Sequence, residues 1–167
     1  MKDITREACF NLVGGYLTGK AAFDLFAGTG AIGLEAISRG ASRAFLIERH
    51  IPTVRIVEAN VQSLEAESVA EVVTSDTFFW VRQFLNDPSQ WPAEPWAVFC
   101  CPPYALFEKC KDELLITLHS LLDVAPKESL FVVESDHRFQ TADLPDLAQW
   151  QVRHYPPAYI AVAHKRG

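Results

Sequence analysis

Phe23-Asp-Leu-Phe-Ala-Gly-Thr-Gly-Ala-Ile-Gly33 reads as a strand that runs into a glycine-rich turn and then a helix. The apolar run Ala21 to Phe26 is strand-like. Gly28 and Gly30 permit backbone geometry that a Cβ would obstruct. Ala31 to Arg39 then has helical spacing, and Gly40 is a natural stop. Such a junction offers bare backbone amides at a helix N-terminus to a ligand. The same pattern also suits a tight strand-to-helix turn with no ligand, so the flanking sequence has to decide.

Outward from this turn, strand and helix patterns alternate. Ile4 to Leu17 reads as an amphipathic lead-in helix with Ile4, Ala8, Leu12 and Tyr16 on one side. Arg43 to Glu48 is a second strand, followed by a helix that Pro52 can start and that runs to Leu64. Glu71 to Thr74 is a third strand, Asp76 to Leu85 a helix, and Asn86 to Pro95 a loop rich in Pro and Trp. Trp96 to Cys100 is apolar on both faces, as in a sheet centre. Phe107 to Leu122 is periodic enough for one helix, and Ser129 to Glu134 is a fifth strand. Trp150 to Tyr155 and Tyr159 to His164 are joined only by Pro156-Pro157, too short a link for a crossover, so they should be antiparallel. The expected fold is α/β: a doubly wound, mostly parallel seven-stranded sheet ending in an antiparallel hairpin. Ligands of such sheets bind at the carboxyl ends of the strands, beside strand one.

The composition fits one globular domain over residues 1–167. The 49% hydrophobic content supports a substantial core and the 22% charged fraction is ordinary. No apolar run approaches a membrane span. The polar start, Met-Lys-Asp-Ile-Thr-Arg-Glu, has no apolar segment after it, so no signal peptide is expected and the cytoplasm is the default location. Cys9, Cys100, Cys101 and Cys110 contain no C-x-x-C pair, and the five histidines are scattered. Neither a disulfide framework nor a zinc site is expected. The net charge of −6 argues against indiscriminate nucleic-acid binding. The acids concentrate in residues 61–150, with fifteen acidic against five basic side chains, while residues 151–167 hold Arg153, Lys165 and Arg166 and no acid. A basic surface could therefore form from the chain ends.

The candidate chemical residues lie within, at the end of, or just after strands. Asp24 is an acid inside an apolar strand, which is costly unless it is paired. It could orient the glycine loop through backbone amides or meet a cationic ligand group. Glu48 ends the second strand, where a carboxylate can accept hydrogen bonds from both ribose hydroxyls. It could instead pair with Arg49 or His50. Asp76 suits an adenine amine and equally the N-cap of the next helix. These features indicate a nucleoside cofactor without separating a dinucleotide from S-adenosylmethionine. Phe99-Cys-Cys-Pro-Pro-Tyr104 narrows the choice. Two prolines fix the backbone, hold the Pro102 carbonyl and the Tyr104 ring at the strand end, and let a planar base stack for about 1–3 kcal/mol.

The run Asp-Leu-Phe-Ala-Gly-Thr-Gly-Ala-Ile-Gly-Leu-Glu-Ala-Ile-Ser-Arg-Gly-Ala, then Leu-Ile-Glu, then x-Pro-Pro-Tyr, resembles the RsmD-type methyltransferases, as does the lead-in Met-Lys-Asp-Ile-Thr-Arg-Glu-Ala-Cys-Phe-Asn-Leu. The likeness covers nearly the whole chain. It implies a Rossmann-like class I methyltransferase that uses S-adenosylmethionine to methylate the N2 amine of a guanine in small-subunit ribosomal RNA. Asp24, Phe26, Ala27, Gly28, Thr29, Gly30, Glu48, Asp76 and Thr77 would then bind the cofactor. Cys101, Pro102, Pro103 and Tyr104 would hold the target base. The implied partner is rRNA or the assembling small subunit, met by a monomer without metal. Two features depart from the family pattern. Cys101 stands where Asp or Asn usually precedes Pro-Pro, and a thiol is a weak acceptor, although relatives acting on exocyclic amines can carry Ser there. The family also usually begins with a basic, glycine-containing hairpin, whereas this sequence opens in the lead-in helix, so Met1 could be internal to a longer protein.

The implied chemistry is in-line methyl transfer to an amine whose lone pair is delocalised into the guanine ring. Acceptors for both N–H groups would favour a pyramidal, nucleophilic nitrogen, and the base has to leave its stack. Three other readings stay open on sequence. The chain could be a ribosome-associated cofactor-binding domain whose motif has decayed at Cys101, or an amino-methyltransferase for adenine, cytosine or a protein amide. A nicotinamide oxidoreductase would share the glycine fingerprint but leaves Pro-Pro-Tyr without a use.

Overall fold

The computed structural model describes residues 3–15, 17–146 and 148–165, without the side chains of Asp3 and Ile4. Four positions used above, Met1, the Ile4 side chain, Tyr16 and Arg166, lie outside the described residues.

Seven strands make one sheet. They are β1 (Ala21–Asp24), β2 (Arg43–Glu48), β3 (Ala70–Thr74), β4 (Trp96–Cys100), β5 (Leu130–Ser135), β6 (Trp150–Tyr155) and β7 (Ala158–His164). Their order is β3-β2-β1-β4-β5-β7-β6. The first five are mutually parallel, and β7 runs antiparallel to both β5 and β6. The doubly wound sheet with its closing hairpin is thus the one the alternation predicts. The chain order reverses between β1 and β4, which opens a crevice at their carboxyl ends.

Strand periodicity of two sends alternate side chains into two cores. On one face, α1 (Asp3–Val13), α2 (Ala31–Ser38) and α3 (Ile51–Ser63) pack Phe10, Leu34, Val57 and Val61 with Ala22, Leu46, Phe99 and Val132. On the other, α4 (Thr77–Asn86), α5 (Leu106–Lys109) and α6 (Lys111–Val124) pack Phe84, Phe107, Leu114 and Leu118 with Phe23, Val98 and Phe131. Phe23 is the hub of an aromatic cluster there, with Phe45 at 5.0 Å, Trp96 at 5.3 Å and Phe84 at 5.4 Å between ring centroids. The loop between α4 and β4 joins this cluster through Trp91, whose indole N–H donates to the Phe84 carbonyl at 2.8 Å.

Three elements differ from the sequence reading. Helix α1 stops at Val13 instead of Leu17, because Gly14 takes a left-handed φ of 57° while its N–H still bonds the Phe10 carbonyl. Its buried face is also rotated from the expected one: Thr5, Cys9, Phe10 and Val13 are buried, whereas Ala8 and Leu12 lie at the margin. Strand β1 ends at Asp24 because the chain bends towards the glycine turn. The single helix expected over 107–122 is two helices. Cys110 leaves helical geometry at φ −135°, and the short α5 turns to border the crevice while α6 follows the sheet.

Gly33 shows how closely α2 lies on the sheet. A Cβ there would come within 2.0 Å of Leu46 Cδ2 and 3.4 Å of Asp24 Cβ. Leu46 is fully buried, so moving its methyl aside would disturb the packing around it. Gly33→Ala should therefore cost about 1–3 kcal/mol of stability, as overpacked cores do. Denaturant unfolding checks this, and an unchanged midpoint would contradict it.

Candidate active site

The crevice at the switch point is a cleft of about 870 Å³. Phe26 and Gly28 reach it from the turn after β1, Glu48 from the end of β2, and Asp76 and Thr77 from the start of α4. Cys101, Pro102, Pro103 and Tyr104 close it after β4. Nine of the thirteen sequence candidates thus share one cavity. The other four, Asp24, Ala27, Thr29 and Gly30, stand behind it as support. The Ala27 N–H bonds the Ile47 carbonyl, the Thr29 carbonyl accepts from the Asn60 amide at 2.9 Å, and Gly30 takes the left-handed φ of 81° that starts α2.

Two carboxyl groups shape the turn. Asp24 is fully buried and accepts the Gly33 N–H through Oδ2 at 3.0 Å. This ties the first turn of α2 to the end of β1. Its Oδ1 is buried with no partner. Burial pushes the Asp24 pKa up to about 7, against the opposing pull of the Gly33 N–H and, more weakly, of the Phe26 N–H, which lies near the carboxyl without meeting hydrogen-bond geometry. Glu48 accepts the Gly28 N–H through Oε2 at 3.1 Å and the His50 N–H through Oε1 at 2.8 Å. Neither bond uses a charged partner. The Arg49 guanidinium turns instead to Asp76, 3.7 Å away in an exposed pair that contributes little. Each Glu48 oxygen keeps lone-pair capacity for a further donor. Asp76 is the N-cap of α4, accepting the Phe79 N–H at 3.1 Å, and it still lines the cleft. Thr77 anchors the same corner through its hydroxyl, which donates to the Leu25 carbonyl.

The side facing the turn is different in kind. The Cys101 thiol is buried, and burial holds its pKa well above the usual range, with Cys9 and Glu134 adding to the effect. The thiol therefore stays protonated and is a poor nucleophile. Tyr104 is half-buried, and its hydroxyl donates to Glu134 Oε1 at 2.8 Å. Burial, reinforced by that bond, raises the Tyr104 pKa and keeps the phenol a donor. Glu134 also lines the cleft and escaped the sequence reading. Its signal was the one that exposed Glu48: an acid closing an apolar strand, here Leu-Phe-Val-Val-Glu. Phe78 and Arg82 also line the cleft, without a comparable sequence mark. Among the described residues, no cluster of three or more His, Cys, Asp or Glu is grouped to hold a metal, and no helix is long and apolar enough to cross a membrane.

The donor set fits S-adenosylmethionine. Gly28, at φ 55°, has open space where a Cβ would stand, so a ligand can approach its backbone. Glu48 can accept from ribose hydroxyls. Asp24 is fully buried behind the turn and does not line the cleft, so of its two expected uses the structure shows the orienting of the glycine loop. Comparison with known proteins agrees. The family model described as Conserved hypothetical protein 95 matches residues 1–161. "Putative rRNA methyltransferase YlbH" of Bacillus subtilis is 28% identical over 99% of this chain and 86% of its own length. "Ribosomal RNA small subunit methyltransferase D" of Buchnera aphidicola is 31% identical over 59% of this chain and 48% of its own length. Among solved structures, a conserved hypothetical protein of Streptococcus pyogenes superimposes with a TM-score of 0.80 at 25% identity, covering 97% of this chain and 96% of that one. A Salinibacter ruber RNA methyltransferase in complex with S-adenosyl-L-homocysteine shares the fold at 12% identity, with a TM-score of 0.63 over 99% of this chain and 93% of that one. The chain has the class I methyltransferase fold. It belongs to the RsmD-like family that the matching model describes, a family of S-adenosylmethionine-dependent methyltransferases.

Glu48→Ala frees the Gly28 amide and takes away the carboxylate expected to meet the ribose hydroxyls. It should weaken S-adenosylhomocysteine binding by about 1–3 kcal/mol, the range for hydrogen bonds to a charged group. Calorimetry measures this, and unchanged affinity would take Glu48 out of the site. Asp24 gives a pH signature. Its folded pKa of about 7 lies above the ordinary 3.8, so the native state holds the proton more tightly. The stability this contributes is complete in acid and is lost as pH rises from about 4 to about 7. Asp24→Asn keeps an acceptor for Gly33 and cannot ionise. The ligand-free wild type should therefore lose stability relative to the variant across that window; parallel pH profiles would contradict the assignment.

Proposed function

We propose that this protein methylates the exocyclic N2 amine of a guanine in small-subunit ribosomal RNA, with residues 1–167 acting as a single methyltransferase domain. The observation that carries the reading is one shared cleft. Gly28, Glu48 and Asp76 line one side, and Pro102, Pro103 and Tyr104, stiffened by their prolines, line the other. A nucleoside cofactor held on the first side faces a planar base held on the second.

The bound cofactor supplies an electrophilic methyl group. The chain's own residues supply position and dipoles. The Pro102 carbonyl accepts one N–H of the amine, and the Tyr104 ring offers a face to the base. Pro103 and the Cys101 backbone fix both. Accepting hydrogen bonds from an amine conjugated with a ring draws its nitrogen towards a pyramidal, nucleophilic shape. No ionised base is needed before attack, since the nitrogen becomes acidic once methylated. The base must be flipped or unpaired to enter. The printed names of the Bacillus and Buchnera relatives support an RNA substrate. Such a substrate is met in the cytoplasm, and one cleft suffices for one base, so the reading is of a cytoplasmic monomer.

Incubation with small subunits or their rRNA and methyl-labelled cofactor, followed by nucleoside analysis, tests the proposal. N2-methylguanosine is expected. Label on adenine, cytosine or protein would replace the substrate, and no transfer despite tight cofactor binding would favour a decayed enzyme. Tyr104→Ala should lower transfer by about 10- to 100-fold, the cost of one stacked base, while leaving cofactor affinity nearly intact. If cofactor affinity falls with it, Tyr104 serves the cofactor or the fold.

A further inference from the structure

Glu134 is 2% exposed, yet it borders the cleft at the end of β5. Burying a carboxyl there is costly unless its oxygens are used. Its place follows from the sheet. Strands β4 and β5 are parallel, with Cys100 opposite Val133. The next residue on each chain is Cys101 and Glu134. Both side chains fall on the α1 side of the sheet, where Phe99 and Val132, two positions earlier, lie in one core. The two groups are close enough for Glu134 to contribute to the raised pKa of the Cys101 thiol. Tyr104 then bridges from the same loop to Glu134 Oε1 at 2.8 Å.

The target amine has two N–H groups and needs two acceptors. The Pro102 carbonyl is one. Cys101 cannot be a strong second, because a buried, protonated thiol accepts weakly. We infer that Glu134 supplies the missing acceptor: its carboxyl, one strand over from Cys101, binds the second N–H of the target amine. The Tyr104 phenol occupies Oε1 and leaves Oε2 for the amine. The inference rests on the proposed amine substrate. In the transfer, the nitrogen lone pair forms the new bond to the methyl carbon. The carbon–sulfur bond breaks with its electron pair kept by sulfur, and the proton lost from nitrogen passes to Oε2. Tyr104 thus has two uses, a ring for the base and a hydroxyl that aims the carboxyl.

Glu134→Gln tests this with little change of shape. A glutamine has one acceptor oxygen. The Tyr104 hydroxyl takes it, and the remaining NH2 faces the amine as donor against donor. Turnover on the rRNA substrate should fall by about 100- to 1,000-fold, in line with losing one preorganised transition-state contact. The KM for RNA and S-adenosylhomocysteine affinity should stay within about threefold, well inside the effect of one lost hydrogen bond to a charged group. Adding Cys101→Asn should restore turnover, because an amide oxygen then stands where the thiol was. That rescue separates substrate contact from mere support of Tyr104, since an amide at position 101 would not replace the bond that Tyr104 makes to Glu134. Glu134→Ala, checked for folding by cofactor calorimetry, should behave alike and be rescued alike. Wild-type turnover in Glu134→Gln, or a loss that Cys101→Asn does not repair, overturns the inference while leaving the proposed function standing. A wild-type protein that binds cofactor but methylates no RNA overturns both.

Discussion

The hydrogen bond from the Gly33 amide to Asp24 Oδ2, 3.0 Å long and sealed from water, fixes how α2 leaves β1. Everything around the cleft depends on that angle. It requires a glycine at 33, since α2 could not lie so close to Leu46 with a Cβ between them. It also places Gly28 where its N–H meets Glu48 across the turn. The arrangement is costly, because a buried carboxyl with one unpaired oxygen opposes folding at neutral pH.

The opposite wall uses another constraint. Two successive prolines remove backbone freedom at the carboxyl end of β4, and the bond to Glu134 holds the Tyr104 side chain. The departure at Cys101 then looks less severe than the motif alone suggests. What the position loses in acceptor strength is one strand away, on Glu134, which the parallel register of β4 and β5 brings alongside.

Much of this was legible in the sequence, and the reasons differ by element. Strands β2, β4 and β6 begin and end where their apolar runs and flanking breakers place them. The ends of α1 and the break at Cys110 were not legible from periodicity. At Cys110 the apolar period continues from Phe107 through Leu114, and a one-residue deviation leaves no mark on it. At α1 the sign was present in Gly14-Gly15. The site residues next to the glycine turn were readable because strand-end acids are unusual. Glu134 carries the same sign, but its value emerges only once β5 is known to lie beside β4, a long-range fact with no local signature. That Asp24 supports the turn from behind likewise needed the packing of α2.

On this reading the turn held by Asp24 and Glu48 forms a nucleoside-sulfonium site opposite Pro-Pro-Tyr, and not a dinucleotide site. Parallel calorimetric titrations of the wild-type protein with S-adenosylmethionine, S-adenosylhomocysteine and NAD test it most directly. The account predicts saturable one-to-one binding of the first two and markedly weaker or no binding of NAD. Tighter binding of NAD than of either sulfur ligand would contradict it.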